Sequence, residues 1–571
     1  MSSSKPWLAT YGDRIPAGID PDRYPSVVHL LEEAMQHHAD RPAFHCFGQT
    51  LSYADCERQS RAFAAYLQQH LGVERGDRIG VMMPNLPAFP LALMGILRAG
   101  AAQVNINPLY TPRELEHQLN DAGVEIIVIF SGCTATLAEA MARTGVKTVI
   151  AVGLGDGTAE ALPSPPVDTR LTGCVSFAEA LAAGATMSFE RVEMRGEDLL
   201  FLQYTGGTTG LSKGAMLSHR NVIANTEQLK PFFPDAMRVG EERVVTALPL
   251  YHVFALMVNL ITYFSLGAQN WLVPNARDMD SFVDVLAKAR CTVITGVNTL
   301  FVGLLMHPRI EDVDFSGLRM AGGGGSAILA STSLKWKALT GLDISEGFGM
   351  SETSPIISFN PQGVEGFTGT VGLPMPSTEI KLLDESDLEV GIGTAGEICV
   401  KGPQVMSGYW RQGEANADAF TLDGFFRTGD MGVLDARGFL KIVDRKKDMV
   451  LVSGFNVYPN EIEAVVSACT GVAESACIGV PDQRTGEAVM LFVVRAPGAS
   501  LSEEDLLRHC RRELVAYKVP KHLRFVEALP KSAVGKILRR DLRGLGEATC
   551  SPTVHPHACE GGRDSPGERR G

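Results

Sequence analysis

The sequence predicts an α/β protein. A large N-terminal domain contains two α/β subdomains and a small β-rich subdomain, and a smaller α+β domain follows. The chain has 571 residues, well beyond the roughly 250–300 at which a single hydrophobic core stops growing. Strand-like apolar runs alternate with helix-length segments in the first half, which is typical of a parallel sheet covered by helices. We therefore predict an N-terminal domain at 1–443, a C-terminal domain at 444–548 and an unstructured tail at 549–571, which lacks periodicity.

Two successive runs of alternating segments define the two α/β subdomains. The first predicts strands or apolar runs at 78–83, 101–106, 124–130 and 146–152, with helices at 87–99 and 111–122. The second predicts strands at 243–248, 270–273 and 291–296, with helices at 281–290 and 298–306. The Gly- and Pro-rich segment 153–173 is predicted to be a loop between the subdomains. The apolar stretch 253–268 is shorter than the about 20 residues that a membrane span needs, which predicts a buried helix.

The pattern changes twice in the second half. From about Thr378 short strands and turns dominate, which predicts the β-rich subdomain. After Asp444 a compact α+β unit is predicted, with strands at 449–453, 474–479 and 488–494 and helices at 460–469 and 502–514.

Composition limits the class of protein. The hydrophobic fraction of 45% and charged fraction of 20% exclude a disordered chain or a coiled coil. The net charge of −13 argues against a nucleic-acid partner, which favours a basic surface. The 11 cysteines form no C-x-x-C pair, and the N-terminus has no apolar segment typical of a secretory signal. Both features predict a cytoplasmic protein, while peripheral contact with the inner membrane and a homodimer stay open.

A glycine- and threonine-rich loop follows the predicted strand 199–204. Residues 204–214 read YTGGTTGLSKG. Exposed backbone N–H groups and threonine hydroxyls in such a loop can surround phosphate oxygens, with Lys213 as counter-charge. It is not a Walker A loop, because no Gly-Lys-Ser/Thr closes it. A flexible surface loop is the alternative.

Two further motifs combine glycine with groups that suit a nucleotide. The run 321–326, AGGGGS, allows close backbone approach to a flat ligand, although a turn explains it equally well. In 346–353, EGFGMSET, Phe348 can stack on a base, and Glu352 can hold Mg²⁺ close to phosphate oxygens. A solvated glutamate in a loop is the alternative for Glu352.

The last two motifs place charge near the predicted domain junction and the C-terminus. Asp430, in an RTGD turn, can accept hydrogen bonds from ribose hydroxyls, and the charge cluster DRKKD begins at Asp444. In 530–540, PKSAVGKILRR, Lys536 can stabilise negative charge that develops in a cleft. Solvated charged turns explain both segments if they have no function.

Taken together and in this order, the five motifs resemble the adenylate-forming superfamily of acyl-CoA synthetases, luciferases and peptide-synthetase adenylation domains. The loop 204–214 is similar to its phosphate signature, EGFGMSET to its aromatic-Gly-x-Ser/Thr-Glu motif and RTGD to its ribose motif. DRKKDMVLVSGFNVYPNEIE is similar to its hinge motif and PKSAVGKILRR to its lysine motif. Within the superfamily, the closest resemblance is to bacterial long-chain fatty-acid–CoA ligases. It is carried by the stretch DGFFRTGDMGVLDARGFLKIVDRKKDMVLVSGFNVYPNEIE and by PLYHVFAL, ITGVNTLF, KGPQVMSGYW and YKVPK.

The resemblance implies a two-step reaction of a fatty acid, ATP and coenzyme A. The acid and ATP give acyl-AMP and pyrophosphate, and the acyl group then moves to the CoA thiol with release of AMP. The residues that the resemblance assigns to binding ATP or CoA are Thr205, Gly206, Gly207, Thr208, Thr209, Gly210, Lys213, Gly323, Gly324, Gly325, Phe348, Gly349, Met350, Ser351, Asp430, Arg445, Gly454 and Lys536.

The resemblance also implies individual roles. The implied catalytic residues are Thr205, His252, Glu352, Arg445 and Lys536, with Mg²⁺ held by Glu352. His252 lies near the acyl carboxylate, and Lys536 bridges that carboxylate and the α-phosphate. Phe348 stands where tyrosine is commoner, which keeps the stacking ring and removes a hydroxyl. A mobile C-terminal domain rotates about a hinge at Asp444, which removes Lys536 and brings Gly454 to the pantetheine channel.

Other interpretations remain at this stage. The enzyme could be a medium-chain or aryl acid–CoA ligase, or a fatty acyl-AMP ligase. A non-catalytic acyl or nucleotide sensor is disfavoured by the intact Asp430, Glu352 and Lys536. A membrane transporter is disfavoured because no stretch is long enough to span. The sequence decides neither the preferred chain length nor the oligomeric state.

Overall fold

The computed structural model describes residues 5–205, 212–453, 455–482, 484–532 and 535–550. Their contacts divide the chain into two compact units. The first unit runs to Asp448 and also includes Lys531–Ile537. The second unit comprises Met449–Pro530 and the chain from Leu538 onward.

A seven-stranded sheet forms the first α/β layer of unit 1. Its strands, in spatial order, are Val175–Ser176, Thr148–Val152, Ile126–Phe130, Arg78–Met82, Ala102–Asn105, Leu199–Thr205 and Lys213–Ser218. All neighbours are parallel except the last pair. The intervening helices are Tyr53–Gln69, Ala88–Arg98, Pro112–Ala122, Thr134–Ala140 and Phe177–Gly184. The strands and helices predicted between 78 and 152 are confirmed to within about two residues.

The segment 153–173 is a loop as predicted, but its predicted place between the two subdomains is wrong. It joins Thr148–Val152 to Val175–Ser176, which are adjacent parallel strands of the same sheet. Glycine and proline mark where regular structure stops. They carry no information about which sheet the following strand joins.

A nine-stranded sheet forms the second α/β layer. Its strands, in spatial order, are Leu373–Pro374, Ile356–Phe359, Ile344–Gly349, Met320–Gly323, Val293–Gly296, Arg243–Thr246, Gln269–Leu272, Pro42–Cys46 and Gln49–Ser52. The helices of this part of the chain are Trp7–Tyr11, Val27–His37, His219–Leu229, Met279–Ala289, Asn298–Met306 and Ala330–Thr340. The strands and helices predicted between 243 and 306 are therefore confirmed. The strands Pro42–Cys46 and Gln49–Ser52 were not predicted.

The apolar stretch is a buried helix, as predicted. Residues Ala255–Thr262 form a π-helix that continues into the short α-helix Tyr263–Ser265. Every residue of the π-helix is buried. Among the described residues, no helix is long and apolar enough to cross a membrane.

The predicted β-rich subdomain is an antiparallel four-stranded sheet. Its strands are Glu379–Leu383, Gly396–Lys401, Phe426–Leu434 and Leu440–Arg445, and helix Gly413–Ala419 precedes the third. Single 3₁₀ turns of unit 1 lie at Ser131–Cys133, Met141–Arg143, Lys230–Phe232, Pro234–Ala236, Ile310–Asp312 and Ser351–Thr353.

The second unit is the predicted α+β unit with its own core. Its sheet contains Phe455–Val457, Val450–Val452, Gly486–Arg495, Val472–Asp482 and His522–Phe525. Helices Pro459–Ser467, Glu503–Glu513 and Arg539–Cys550 and the 3₁₀ turn Ala516–Lys518 accompany it. The last helix includes residues 549 and 550, and the remainder of the predicted tail lies outside the described residues.

Candidate active site

The two ends of the glycine-rich loop face each other across a strand pair. Strand Leu199–Thr205 leads into the loop and strand Lys213–Ser218 leaves it, with Thr205 opposite Lys213 in antiparallel register. Gly206, Gly207, Thr208, Thr209 and Gly210 lie outside the described residues. The structure therefore brings Thr205 and Lys213 together at the end of the sheet, as the loop motif predicts.

Helix Pro112–Ala122 holds both ends of this loop, which the sequence did not predict. His117 Nε2 lies 3.0 Å from the carbonyl oxygen of Ser212. The hydroxyl of Tyr204 donates to Asp121 Oδ2 at 2.5 Å. His117 and Asp121 are four residues apart and so lie on one face of the helix. That i, i+4 spacing is the one sequence signal for their shared role.

Glu352 is linked through Tyr409 to Lys213, at the end of the loop. It sits in the turn Ser351–Thr353, with only 5% of its surface exposed. The hydroxyl of Tyr409 donates to Glu352 Oε1 at 2.8 Å, and Lys213 Nζ lies 5.3 Å from the centre of the Tyr409 ring. Burial raises the pKa of Glu352, and the Tyr409 hydrogen bond opposes that rise. Tyr409, within the stretch KGPQVMSGYW, is a site residue that motif analysis did not single out.

Asp430 and Arg445 face each other on neighbouring strands of the four-stranded sheet. They are antiparallel partners, and Arg445 Nε lies 3.7 Å from Asp430 Oδ1. Burial raises the pKa of Asp430, while the charges of Arg445 and Lys536 oppose the rise. Because Asp430 and Arg445 also act on the pKa of Glu352, the three side chains share one electrostatic environment.

The glycines of the two nucleotide motifs allow a close approach between strand ends. A Cβ on Gly324 would lie 3.2 Å from the carbonyl oxygen of Gly347 and 3.3 Å from Phe254. A Cβ on Gly349 would collide with the carbonyl oxygen of Pro355. Gly323 and Gly325 flank Gly324. The neighbouring parallel strand, Ile344–Gly349, contains Phe348 and is followed by Met350 and Ser351, and all three residues are partly exposed. The two motifs therefore meet, as a shared adenine site requires.

His252 precedes the π-helix and is neutral at neutral pH. Burial, reinforced by the charge of Lys536, lowers its pKa to about 4. Its Nδ1 accepts a 3.4 Å hydrogen bond from the backbone N–H of Phe254. A neutral ring whose Nδ1 accepts carries its proton on Nε2, which can then donate to an anionic oxygen.

Lys536 lies on a hairpin that belongs to the first unit. Lys531 and Ile537 pair across it, and the backbone N–H of Lys536 donates to Ser532 Oγ at 3.1 Å. The charge of Lys536 acts on both His252 and Asp430. Thus the structure places Lys536 within electrostatic reach of the predicted carboxylate and ribose residues.

Of the two residues predicted for the second half-reaction, Asp444 and Gly454, the structure describes Asp444. Asp444 is completely buried in strand Leu440–Arg445, and its Oδ1 accepts from the backbone N–H of Arg445 at 2.7 Å. The chain enters the second unit after Asp448. Gly454 lies outside the described residues.

Glu346 is a buried carboxyl at the start of the EGFGMSET motif. Its Oε1 accepts from the backbone N–H of Ile328 at 3.0 Å. Burial raises the pKa of Glu346 to about 8, and the bond from Ile328 opposes the rise. Motif analysis gave Glu346 no role. The structure shows that it joins the strand of Phe348 to the segment that follows the AGGGGS run.

Replacing Glu346 with glutamine is expected to remove a pH dependence of stability. Between its ordinary pKa of 4.5 and its folded value of about 8, the unfolded chain releases the proton and the folded chain keeps it. Stability therefore falls as pH rises through this window, by up to about 1.4 kcal/mol per pH unit. Urea unfolding of parent and Glu346→Gln at pH 5.5, 7 and 8.5 measures it. The variant is expected to gain stability relative to the parent as pH rises, and parallel curves would contradict the assignment.

Comparison with known proteins identifies the family of this chain. The AMP-binding enzyme family matches residues 31–410, and the AMP-binding enzyme C-terminal domain matches residues 461–536. The chain belongs to the AMP-binding enzyme family. A long-chain-fatty-acid–CoA ligase of Salmonella typhimurium is 50% identical over 550 residues, covering 94% of this chain and 98% of that protein. The ligase of the same name from Bacillus subtilis is 35% identical over 95% of this chain and 98% of that protein.

Solved structures share the fold. ATP-bound MatB from Rhodopseudomonas palustris superposes with a TM-score of 0.80 at 32% identity, over 91% of this chain and 99% of that one. The anthranilate CoA ligase AuaEII in complex with anthranoyl-AMP superposes with a TM-score of 0.83 at 25% identity, over 93% of this chain and 99% of that one. These solved structures confirm the predicted α/β fold class, and the relatives from Salmonella typhimurium and Bacillus subtilis confirm the resemblance to bacterial long-chain fatty-acid–CoA ligases.

Proposed function

We propose that the protein is an ATP-dependent long-chain-fatty-acid–CoA ligase. A fatty carboxylate attacks the α-phosphate of ATP, which forms acyl-AMP and releases pyrophosphate. The CoA thiolate then attacks the acyl carbon, which forms acyl-CoA and releases AMP. The observation that carries the proposal is a continuous series of contacts and charge effects. Tyr409 links Lys213 to Glu352. The charge of Asp430 acts on Glu352, and the charge of Lys536 acts on Asp430 and His252. The 50% identity to a ligase of this name over nearly the whole chain supports it.

Adenylation needs positive charge where the carboxylate and the α-phosphate meet. Both groups are anionic and repel each other, so a cation between them lowers the barrier. Lys536 supplies that charge, and neutral His252 donates from Nε2 to the carboxylate without a second net charge. Thr205 and Lys213 bind the phosphates at the loop ends. Activation converts the acid into a mixed anhydride with a good leaving group.

Glu352 is proposed to hold Mg²⁺. Among the described residues, no group of three or more His, Cys, Asp or Glu side chains could hold a metal. Mg²⁺ usually binds through one or two carboxylates together with substrate phosphates. The single buried carboxylate of Glu352, near the predicted phosphate loop, fits this mode of Mg²⁺ binding. When bound, Mg²⁺ neutralises charge on the phosphate oxygens.

The nucleoside is proposed to lie between the two glycine motifs and the four-stranded sheet. Phe348 stacks on adenine, flanked by Gly323–Gly325 and by Gly349, Met350 and Ser351. Asp430 accepts hydrogen bonds from ribose hydroxyls beside Arg445, whose charge opposes the rise that burial causes in the pKa of Asp430. The opposing pKa effects at Asp430 support that division of roles.

The second half-reaction is proposed to require movement of the C-terminal domain about a hinge near Asp444. The same site cannot hold Lys536 against the phosphate and admit the CoA thiol. The boundary between the units, four residues beyond Asp444, supports a hinge in this region. Gly454 is proposed to approach the pantetheine arm. Peripheral contact with a membrane and a homodimer stay predictions.

A panel of acids tests the substrate class. Each methylene moved from water into an apolar channel contributes about 0.8 kcal/mol, so the eight methylenes by which palmitate exceeds octanoate contribute at most about 6 kcal/mol. We expect CoA-dependent AMP release, as kcat/KM, to be highest for palmitate or oleate, lower for octanoate and lowest for 4-coumarate and anthranilate. Faster turnover of an aryl acid would contradict the proposal. Acyl-AMP that accumulates without thioester would instead identify an acyl-AMP ligase.

A further inference from the structure

The hairpin of Lys536 rests on one short segment of the nine-stranded layer. Thr299 Oγ1 donates to the carbonyl oxygen of Gly535 at 3.1 Å. Gly535 has a φ of +79°, and a Cβ there would lie 2.6 Å from Thr299 Oγ1 and 3.3 Å from Val297. The carbonyl that Thr299 holds belongs to the peptide that leads directly into Lys536. The hydroxyl therefore fixes the backbone from which the lysine side chain departs.

The same segment contacts the glycine run assigned to adenine. A Cβ on Gly325 would lie 3.6 Å from Val297 Cγ1, so this valine separates Gly325 from Gly535. Asn298 Oδ1 accepts from the backbone N–H of Leu329 at 3.0 Å, beside the Glu346 bond to Ile328. Residues 297–299 thus contact both the lysine hairpin and the segment that follows the glycine run.

We propose that Thr299 is a positioning residue for Lys536, and that residues 297–299 fix the position of the lysine relative to the glycine run 321–326. The inference rests on the proposed role of Lys536 in adenylation. Removal of the Thr299 hydroxyl leaves the Lys536 side chain chemically intact but removes a hydrogen bond that fixes its backbone. The rate of adenylation should therefore fall. The rate of thioester formation, in which Lys536 is proposed to have no role, should not change.

The test compares Thr299→Val with Thr299→Ser in the two half-reactions. Valine keeps the shape of threonine and removes the hydroxyl, whereas serine keeps the hydroxyl. For Thr299→Val we expect about a 10-fold slower palmitate-dependent ATP–pyrophosphate exchange, the loss typical of one hydrogen bond. Thioester formation from pre-made palmitoyl-AMP and CoA should stay within about 2-fold, and Thr299→Ser should resemble the parent in both assays. An equal loss in both half-reactions would show a general structural role and overturn the proposal.

A double-mutant cycle separates this proposal from the role of Lys536 itself. If Thr299 acts through Lys536, Thr299→Val should cause no further loss of exchange once Lys536 is alanine. Additive losses would overturn the proposal. Normal exchange in Lys536→Ala alone would instead overturn the proposed function of the lysine. Gly535→Ala gives a second route, because its Cβ would push the hairpin away from Thr299, and it should slow exchange selectively.

Discussion

Lys536→Ala is expected to lose acyl-AMP formation by about 100- to 1,000-fold, the cost typical of removing one charge-stabilising donor. The reason is specific to the first half-reaction. Two anions must approach each other there, and the charge of Lys536 acts on both His252 and Asp430. Pyrophosphate release with ATP and palmitate measures this step. Thioester formation from pre-made palmitoyl-AMP should be spared.

Lys531→Ala is the matched control for this experiment. Lys531 lies on the same hairpin, opposite Ile537, and is exposed to solvent. The substitution removes the same charge and similar side-chain volume from the same element, so a general effect on the hairpin would appear in both variants. If Lys536→Ala slowed the two half-reactions equally, or if Lys531→Ala matched its loss, the assignment of Lys536 would be wrong.

Most secondary structure was predictable because local pattern determines it. Parallel strands such as Ile126–Phe130 and Thr148–Val152 are nearly continuous apolar runs, and the helix Asn298–Met306 begins and ends where its pattern does. Pairing was harder to predict. Strands Pro42–Cys46 and Gln49–Ser52 precede the first sheet in the chain yet join the edge of the second. Which sheet a short strand extends depends on long-range packing that local patterns do not encode.

The candidate site likewise contains residues that the sequence predicts and residues that only the fold reveals. Its motif residues were predictable because phosphate, ribose and metal binding each need particular residue types at close spacing. Their partners were not, because Tyr409 meets Glu352 across 57 residues, and Thr299 meets Gly535 across 236. The π-helix could not be predicted either, since a largely apolar stretch can form an α-helix or a π-helix. Partner residues therefore emerge only when the fold brings distant segments together.

Glu352→Gln is expected to lose adenylation by at least about 100-fold, since even groups that only support a metal ligand typically cost 10- to 100-fold. Glutamine keeps the shape of the side chain and an oxygen that can accept from the Tyr409 hydroxyl, so the fold of the turn is preserved. What it removes is the carboxylate at a buried position that contacts Tyr409 and on which the charges of Asp430 and Arg445 act. Pyrophosphate release, measured as Mg²⁺ is varied, should require more Mg²⁺ for half-maximal rate.

Glu346→Gln supplies the matched control, because the same substitution is made at another buried glutamate six residues earlier. Glu346 accepts from the backbone of Ile328 and has no predicted metal role, so its Mg²⁺ dependence should match that of the parent. A metal ligand and a merely buried carboxyl are thereby distinguished. If Glu352→Gln lowered the rate without changing the Mg²⁺ requirement, the carboxylate would serve the packing of the turn. A requirement that shifted equally in both variants would also contradict a specific metal role.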